Sequence, residues 1–189
     1  MKKTNSITTR KIVIAGLMAA LTAIGSALRI TMPIEIAGTT SFHLGNIFCA
    51  LCGILLGPWL GGIAAGLGSA IYDMLNPLYI SEAWITFLMK GAYGLAAGLV
   101  IRAGHRDSGY LKSLFASIAG AITYAVLYLA KSYFYSGLLL HGLTPAAAGL
   151  TVVSKLPATV FNAAVAILAA PLLAAAIQKV LKRNHLTLD

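Results

Sequence analysis

The sequence predicts an all-α membrane protein whose six transmembrane helices pack into one compact bundle. Composition, the pattern of apolar runs and chain length together predict it. Of the 189 residues, 59% are hydrophobic and 10% are charged, and the mean hydropathy is +0.85. A soluble domain carries about 25% charged residues. The apolar runs are continuous, which favours helices over a β-barrel. Because a span takes about 20 residues, residues 1–189 form a single six-helix domain with short loops.

Six apolar runs mark the predicted spans, which lie at about 12–28, 42–56, 60–75, 83–101, 111–135 and 146–180. Three of the predicted loops lie on one side of the membrane, at 29–41, 76–82 and 136–145. The last apolar run is too long for one straight span. Lys155-Leu156-Pro157 therefore predicts that its early part is bent or loop-like.

The net charge of +9 indicates how the chain is oriented in the bilayer. Its Lys and Arg residues concentrate in the N-terminal tail, in the loop after the fourth span and at the C-terminus. The positive-inside rule places these segments in the cytoplasm, so we predict an N-in, C-in protein. A nucleic-acid partner is disfavoured, because the basic residues do not follow one face.

The two cysteines, Cys49 and Cys52, have the spacing of half a zinc site or of a redox CxxC pair. They lie inside an apolar span without a second pair, so we interpret them as helix packing and predict no metal and no cofactor. The chain has no HExxH and no GxxxxGK[ST] motif. Without a nucleotide site it cannot drive uphill transport by its own hydrolysis, and we predict that it is not an enzyme.

An intramembrane protease of the rhomboid type is the alternative from another functional class. Such an enzyme needs a serine nucleophile on one helix and a histidine base on another. Gly68-Ser69-Ala70 offers the serine. The later histidines, His141 and His185, lie in a predicted loop and in the tail, so the later spans offer no base.

Polar side chains cluster at the predicted outer ends of the spans, starting with the passage that ends in His43 and Asn46. Charged groups at membrane depth are costly and usually face a cavity or a partner. Three other interpretations stay open. Lys131 and Tyr135 could have interfacial roles, Asp73 and Lys90 could form a structural ion pair, and His43 could be a structural histidine. As a set, the side chains predict a pocket that opens outward, lined by His43, Asn46, Asp73, Trp84, Lys90, Tyr128, Lys131, Tyr135, Lys155 and Asn162.

Small residues recur at every fourth position on three spans, which lets helix backbones approach closely. On the third and fourth spans we assign these rows to internal packing. On the first span the row is Ala15, Ala19 and Ala23. For that row, internal packing and the docking of a partner membrane protein remain equally supported.

Several motifs occur together: the alanine row, His43-Leu44-Gly45-Asn46-Ile47-Phe48, Leu55-Leu56-Gly57-Pro58, the run from Gly62 to Asp73, and Trp84-Ile85-Thr86-Phe87-Leu88-Met89-Lys90-Gly91. This combination resembles the substrate-binding S components of energy-coupling factor (ECF) transporters, in the hydroxymethylpyrimidine/pyridoxine-like branch. The resemblance covers the first four spans strongly and the last two weakly.

The resemblance implies a vitamin-binding subunit in the bacterial cell membrane that works with a transmembrane coupling protein (T component) and two cytoplasmic ATPases. It implies that Ala15, Ala19 and Ala23 dock on the coupling protein, and that the loaded subunit topples to release its cargo inside. The candidate pocket residues suit a small, planar, hydroxylated heteroaromatic such as hydroxymethylpyrimidine or a vitamin B6 form such as pyridoxine. Cobalamin, folate and pantothenate, which related proteins carry, stay open.

Overall fold

The computed structural model describes residues 9–31, 40–103 and 109–184, and six α-helices carry the fold within these ranges. They are α1 (Thr9–Ala27), α2 (Gly45–Leu56), α3 (Pro58–Leu75), α4 (Ala83–Arg102), α5 (Tyr110–Ala130) and α6 (Pro145–Arg183). Two short strands, β1 (Arg29–Thr31) and β2 (Ser41–His43), pair antiparallel between α1 and α2. A 3-10 helix (Ile80–Glu82) precedes α4, and a π-helix (Lys131–Leu140) continues α5.

The prediction of an all-α membrane protein is confirmed. Among the described residues, four stretches are long and apolar enough to cross a membrane: Thr9–Ala27, Ile80–Arg102, Tyr110–Leu140 and Pro145–Arg183. A count of six spans and the N-in, C-in orientation stay predictions. Much of the orientation argument rests on residues 1–8, 104–108 and 185–189, which lie outside the described ranges.

The start of the second predicted span is a strand and not a helix. In the antiparallel pair, Arg29 lies opposite His43 and Ile30 lies opposite Phe42. The pairing satisfies backbone N–H and C=O groups beyond the end of α1. The rest of the predicted loop at 29–41 falls mainly on residues 32–39, outside the described ranges.

The predicted loop at 136–145 was wrong as far as Leu140, because that part is helical. The start of the sixth span was predicted to be bent or loop-like. A loop is wrong, since Pro145–Arg183 is one continuous helix, α6, and a bend stays a prediction. That helix contains Pro157 and Pro171. Interior prolines are tolerated in membrane helices where hydroxyl side chains and neighbouring helices compensate for the lost hydrogen bond. Near Pro157, the hydroxyls of Thr151, Ser154 and Thr159 donate to the carbonyls of Ala147, Thr151 and Lys155 at 3.3, 2.8 and 2.8 Å, and none of them bonds the Val153 carbonyl that Pro157 leaves without its usual donor.

The short helix α2 forms the centre of the bundle and contacts each of the other five helices. Its residues Cys49, Ala50, Leu51 and Cys52 are at most 1% exposed. A helix that is apolar on all sides is a buried helix. The other five helices are therefore arranged around α2, which has only 12 residues.

Close backbone contacts hold the helices together, as predicted for the small residues of α3 and α4. A Cβ atom on Gly53 or Gly66 would lie within 3 Å of a backbone carbonyl of α4, and a Cβ atom on Gly98 would lie within 3 Å of the backbone at Pro58. Glycine is therefore required at these crossings. The resulting packing brings β1, β2, the 3-10 helix and the π-helix around one cavity, and we call this end of the bundle the hairpin end.

Candidate functional site

A cavity opens at the hairpin end, beneath the paired strands. It comprises about 670 Å³ of space that protein atoms do not fill, including its opening. Its walls come from α1, from α3 to α6, from both strands, and from the 3-10 and π-helices. Side chains as distant in sequence as Ser26 and Asn162 therefore face one space.

Most of the predicted contact residues meet at this cavity. Asn46 lies just outside the lining, where it accepts a hydrogen bond from Lys90. Lys155 is 2% exposed, and its ammonium lies 5.8 Å from the ring centre of Tyr128. Six of the predicted residues line the cavity directly: His43, Asp73, Lys90, Tyr128, Lys131 and Asn162.

Trp84 and Tyr135, which were predicted to contact the ligand, do not line the cavity. Trp84 is 57% exposed, and its ring packs edge-on against Tyr135 at 6.1 Å. Thr86 and Lys90 lie one helical turn apart on the face of α4 that lines the cavity, whereas Trp84 lies on another face. An aromatic pair near the ends of membrane helices, here with Trp84 exposed and Tyr135 half-buried, is typical of the membrane interface.

Lys90 is a buried cation in the lining of the cavity. It is 3% exposed, it donates to Asn46 Oδ1, and its Nζ atom lies 3.9 Å from the ring centre of Tyr124. The interpretation as a direct ion pair with Asp73 is wrong, because the ammonium bonds the amide instead. An ammonium has three donors, so one hydrogen bond and one cation–π contact leave Lys90 with donors for a ligand.

Arg29 and Asp73 form a second charged part of the lining. The guanidinium carbon of Arg29 lies 4.1 Å from the ring centre of Tyr72 and 4.5 Å from that of Tyr79. Its Nε donates to the carbonyl of Ser26 at 2.8 Å. These contacts hold the planar guanidinium at the cavity wall, where it can recognise planar acceptor groups. Asp73 is 7% exposed.

His43 is held in one orientation by the backbone and by α6. The backbone N–H of His43 donates to Asn162 Oδ1 at 2.9 Å, while Asn162 Nδ2 donates to the carbonyl of Ser41 at 2.8 Å. The Nδ1 atom of His43 accepts from the Gly45 N–H at 3.2 Å. The ring proton is therefore on Nε2. His43 lies in strand β2, outside the helices. Its burial lowers its pKa well below the usual value, and the positive charges of Lys90 and Arg29 lower it further.

The lowered pKa of His43 predicts an acid-sensitive fold. Below about pH 6.5 the unfolded chain binds a proton at this position that the folded chain excludes. Stability is therefore expected to fall as the pH drops below that value, by up to about 1.4 kcal/mol per pH unit. Melting temperatures of the detergent-solubilised protein between pH 7.5 and 5 measure this loss. His43→Gln should remove that part of the pH dependence, and the matched variant at exposed His141, His141→Gln, should keep it. An equal slope in His43→Gln and wild type would contradict the assignment.

Aromatic rings form one wall of the cavity. Tyr124 and Tyr128 are stacked, with ring centres 5.7 Å apart and planes inclined by 19°. Tyr93 continues this row, 6.0 Å from Tyr124. Offset stacked rings provide an apolar surface on which a further planar ring can lie.

Polar bonds connect the elements around the cavity opening. Lys131 of the π-helix pairs with Glu82 of the 3-10 helix, and Lys131 is 8% exposed, so it does not extend to the interface as an alternative interpretation held. The Ser41 and Tyr79 hydroxyls lie 3.1 Å apart. The Tyr128 hydroxyl donates to Thr40 Oγ1 at 3.0 Å. Strand β2 is thus bonded at Ser41 to the connection between α3 and α4, and Thr40, which precedes it, is bonded to α5.

The predicted docking row of α1, Ala15, Ala19 and Ala23, is partly turned toward the bundle. Ala19 is 9% exposed, and a Cβ atom on Gly68 would overlap its carbonyl oxygen, so this residue packs against α3. Ala15 and Ala23 are half-buried. The freely exposed small residues of α1 are Gly16, Ala20 and Ala27, and we call the face that they form with Ala23 the free face of α1.

Ser69 also lines the cavity, but its surroundings do not match a protease. Its Oγ atom lies 3.7 Å from Cys49 Sγ, and His43 uses Nδ1 for the Gly45 N–H, so no serine–histidine hydrogen bond forms between them. Cys52 Sγ lies 3.6 Å from Thr22 Oγ1. Both thiols are fully buried against neighbouring helices, in agreement with the packing interpretation.

Among the lining residues that were not predicted as contacts are Arg29, Tyr79 and Glu82. A basic residue just after a predicted span is ordinary at a membrane interface, so Arg29 carried no signal of its own. Tyr79 and Glu82 lie in a connection that looked like an exposed loop. Their role depends on the pairing of distant segments, which no local pattern specifies.

Comparisons with known proteins identify a family, a relative and a structure of the same fold. Residues 6–179 match the family of ECF-type riboflavin transporter S components. An uncharacterized protein in a gap 3' region of Pyrococcus woesei is 30% identical over 118 residues, which cover 62% of this chain and 74% of that protein. The crystal structure of an S component of an ECF transporter superposes with a TM-score of 0.52 at 17% identity, over 95% of this chain and 88% of that one. At that identity the superposition shows the fold alone.

These matches confirm the resemblance to ECF S components, which are membrane proteins of transport systems. The hydroxymethylpyrimidine/pyridoxine-like branch stays a prediction, since the family description names riboflavin. With nearly the whole chain matched, the protein belongs to the family of ECF-type riboflavin transporter S components.

Proposed function

We propose that this chain is the substrate-binding subunit of an ATP-driven vitamin importer and that riboflavin is its substrate. The observation that carries the proposal is the cavity at the hairpin end, where Lys90 and Asp73 face the same space as the stacked rings of Tyr124 and Tyr128. A buried charge that is not neutralised by a close partner is costly in a membrane and usually serves a ligand. Planar heteroaromatic vitamins supply both a ring for the tyrosines and polar atoms for the charged groups.

Two substrate classes fit these requirements, and the family description favours riboflavin. Riboflavin combines a flat three-ring system with a hydroxylated chain. Pyridoxine and hydroxymethylpyrimidine, the substrates favoured from the sequence, have one ring, and the family description does not name them. We therefore rank riboflavin first and these two compounds second, ahead of cobalamin, folate and pantothenate.

The partners follow from the same proposal. The cavity faces outward in the cell membrane and captures the vitamin, and the free face of α1 docks on a transmembrane coupling protein. Two cytoplasmic ATPases, and not this chain, hydrolyse ATP. The face supports docking because small side chains allow another helix to approach closely.

A binding panel on the purified chain, without partner proteins, tests the proposal. Isothermal titration with riboflavin, pyridoxine, hydroxymethylpyrimidine, cobalamin, folate and pantothenate should give a submicromolar dissociation constant for riboflavin alone. Ser117→Ala, a buried substitution in α5 outside the cavity, should leave that constant unchanged. Tight binding of pyridoxine or hydroxymethylpyrimidine without riboflavin would replace the proposed substrate. Binding of no vitamin would contradict the function.

A further inference from the structure

Much of the hydrogen-bonding capacity in the cavity lining is already used within the protein. Asn162 uses both its amide oxygen and its amide nitrogen on the strand β2. Lys131 pairs with Glu82, and the Ser41 and Tyr79 hydroxyls bond each other. These groups form the walls of the cavity, and their remaining capacity for a ligand is small.

Three donors in the lining keep capacity for a ligand. Lys90 has spent one of its three N–H groups. Arg29 uses its Nε–H for the Ser26 carbonyl, while its two terminal nitrogens bond no acceptor among the described residues. His43 has its proton on Nε2, since Nδ1 accepts from Gly45, and that proton has no acceptor in the described part of the chain. A ligand that is complementary to these donors therefore carries hydrogen-bond acceptor atoms.

Beside Glu82, which pairs with Lys131, the described lining has a second carboxylate, Asp73. Asp73 is buried, has Thr86 beside it, and lies in the field of both Arg29 and Lys90. A carboxylate has about four lone-pair positions, so Thr86 does not exhaust it. Its negative charge also disfavours a ligand carboxylate or phosphate at this place, because like charges at close range repel. The complementary ligand edge has at least two acceptors and one N–H donor.

The geometry points to Asp73, together with Lys90 and Arg29, as the residues that recognise a cyclic imide edge, in which an N–H lies between two carbonyls. Asp73 accepts from the imide N–H, and the cations donate to the carbonyl oxygens. The pyrimidinedione ring of riboflavin has such an edge, whereas pyridoxine and hydroxymethylpyrimidine do not. This inference rests on the proposed function and adds which residues select the substrate.

Riboflavin methylated at the imide nitrogen tests it, because that compound lacks only the N–H and gains a methyl group there. Both flavins are titrated into the detergent-solubilised full chain, and binding is followed by flavin fluorescence. We expect the wild-type protein to bind the methylated compound about 30- to 100-fold more weakly, as for the loss of a hydrogen bond to a charged group. In Asp73→Ala, which removes the acceptor and leaves room for the methyl group, the difference should shrink to about threefold or less.

The possible results separate the two proposals. If riboflavin binds but the wild-type protein accepts both flavins within about threefold, the imide inference fails and the proposed function stands. An equal preference in wild type and Asp73→Ala has the same meaning. If no flavin binds, both fail. Should Asp73→Ala not fold, the wild-type comparison still decides, and Ser117→Ala serves as the folded control with the full preference.

Discussion

Lys90→Met is expected to weaken riboflavin binding by about a hundredfold or more, because it removes the buried cation that faces the ligand. Methionine has a similar length and fills the same space without charge or donors. The variant should bind no other vitamin in its place, since the stacked tyrosines remain but the polar recognition is lost. Titration of the purified variant beside the wild-type protein measures the effect.

The same variant should remain folded, which separates a binding role from a structural one. Removing a buried charge relieves a desolvation cost, while Asn46 Oδ1 loses its donor at a cost of about 1–3 kcal/mol. These opposing effects should keep the melting temperature of the ligand-free protein within about 4 °C of wild type. A large loss of stability with affinity for riboflavin retained would show that Lys90 serves the fold and not the ligand.

Bulky substitutions on the free face of α1 are expected to abolish uptake and leave vitamin binding intact. Ala20 is exposed, so Ala20→Trp should clash only with a partner that packs against this face. In cells that express the whole transporter, uptake of labelled riboflavin should fall to background. Pull-down of the coupling protein should fail in parallel. The purified variant should bind riboflavin with an unchanged dissociation constant.

Ala19→Trp is the matched comparison one residue away. Ala19 is buried against α3 at Gly68, so a large side chain should separate the two helices and destabilise the protein by about 1–3 kcal/mol or more. The two variants therefore differ in kind: one loses assembly and the other loses stability. Normal uptake in Ala20→Trp would exclude the free face as the docking surface, and loss of riboflavin binding in that variant would show that the face also supports the cavity.

The membrane class and the family were predictable from the sequence, because both depend on patterns that are continuous along the chain. Long apolar runs specify membrane helices whatever their neighbours. The position of Lys90 inside such a run also identified it as a candidate, since a charged side chain within the membrane is costly and usually has a partner or a ligand. Asp73 was found at the end of such a run, and His43 in the polar passage between two runs.

The features that depend on long-range pairing could not be predicted. Arg29 became a cavity residue because Tyr72 and Tyr79 lie on either side of it. Which row of α1 faces α3 follows from Gly68 and not from the alanine spacing itself. Neighbouring rows on a helix of small residues look alike in sequence, so the buried row and the free row are distinguished only in the packed bundle. The π-helix likewise has no periodicity that separates it from an α-helix over ten residues.

Identifying the small molecule that co-purifies with the chain tests the central claim most directly. The protein is expressed in cells grown with a vitamin mixture, purified in mild detergent and denatured, and the released compounds are identified by mass spectrometry. We expect riboflavin in about equimolar amount from the wild-type protein and from Ser117→Ala, and none from Lys90→Met prepared in parallel. Release of no vitamin from a folded wild-type protein, or equal release from Lys90→Met, would contradict the account.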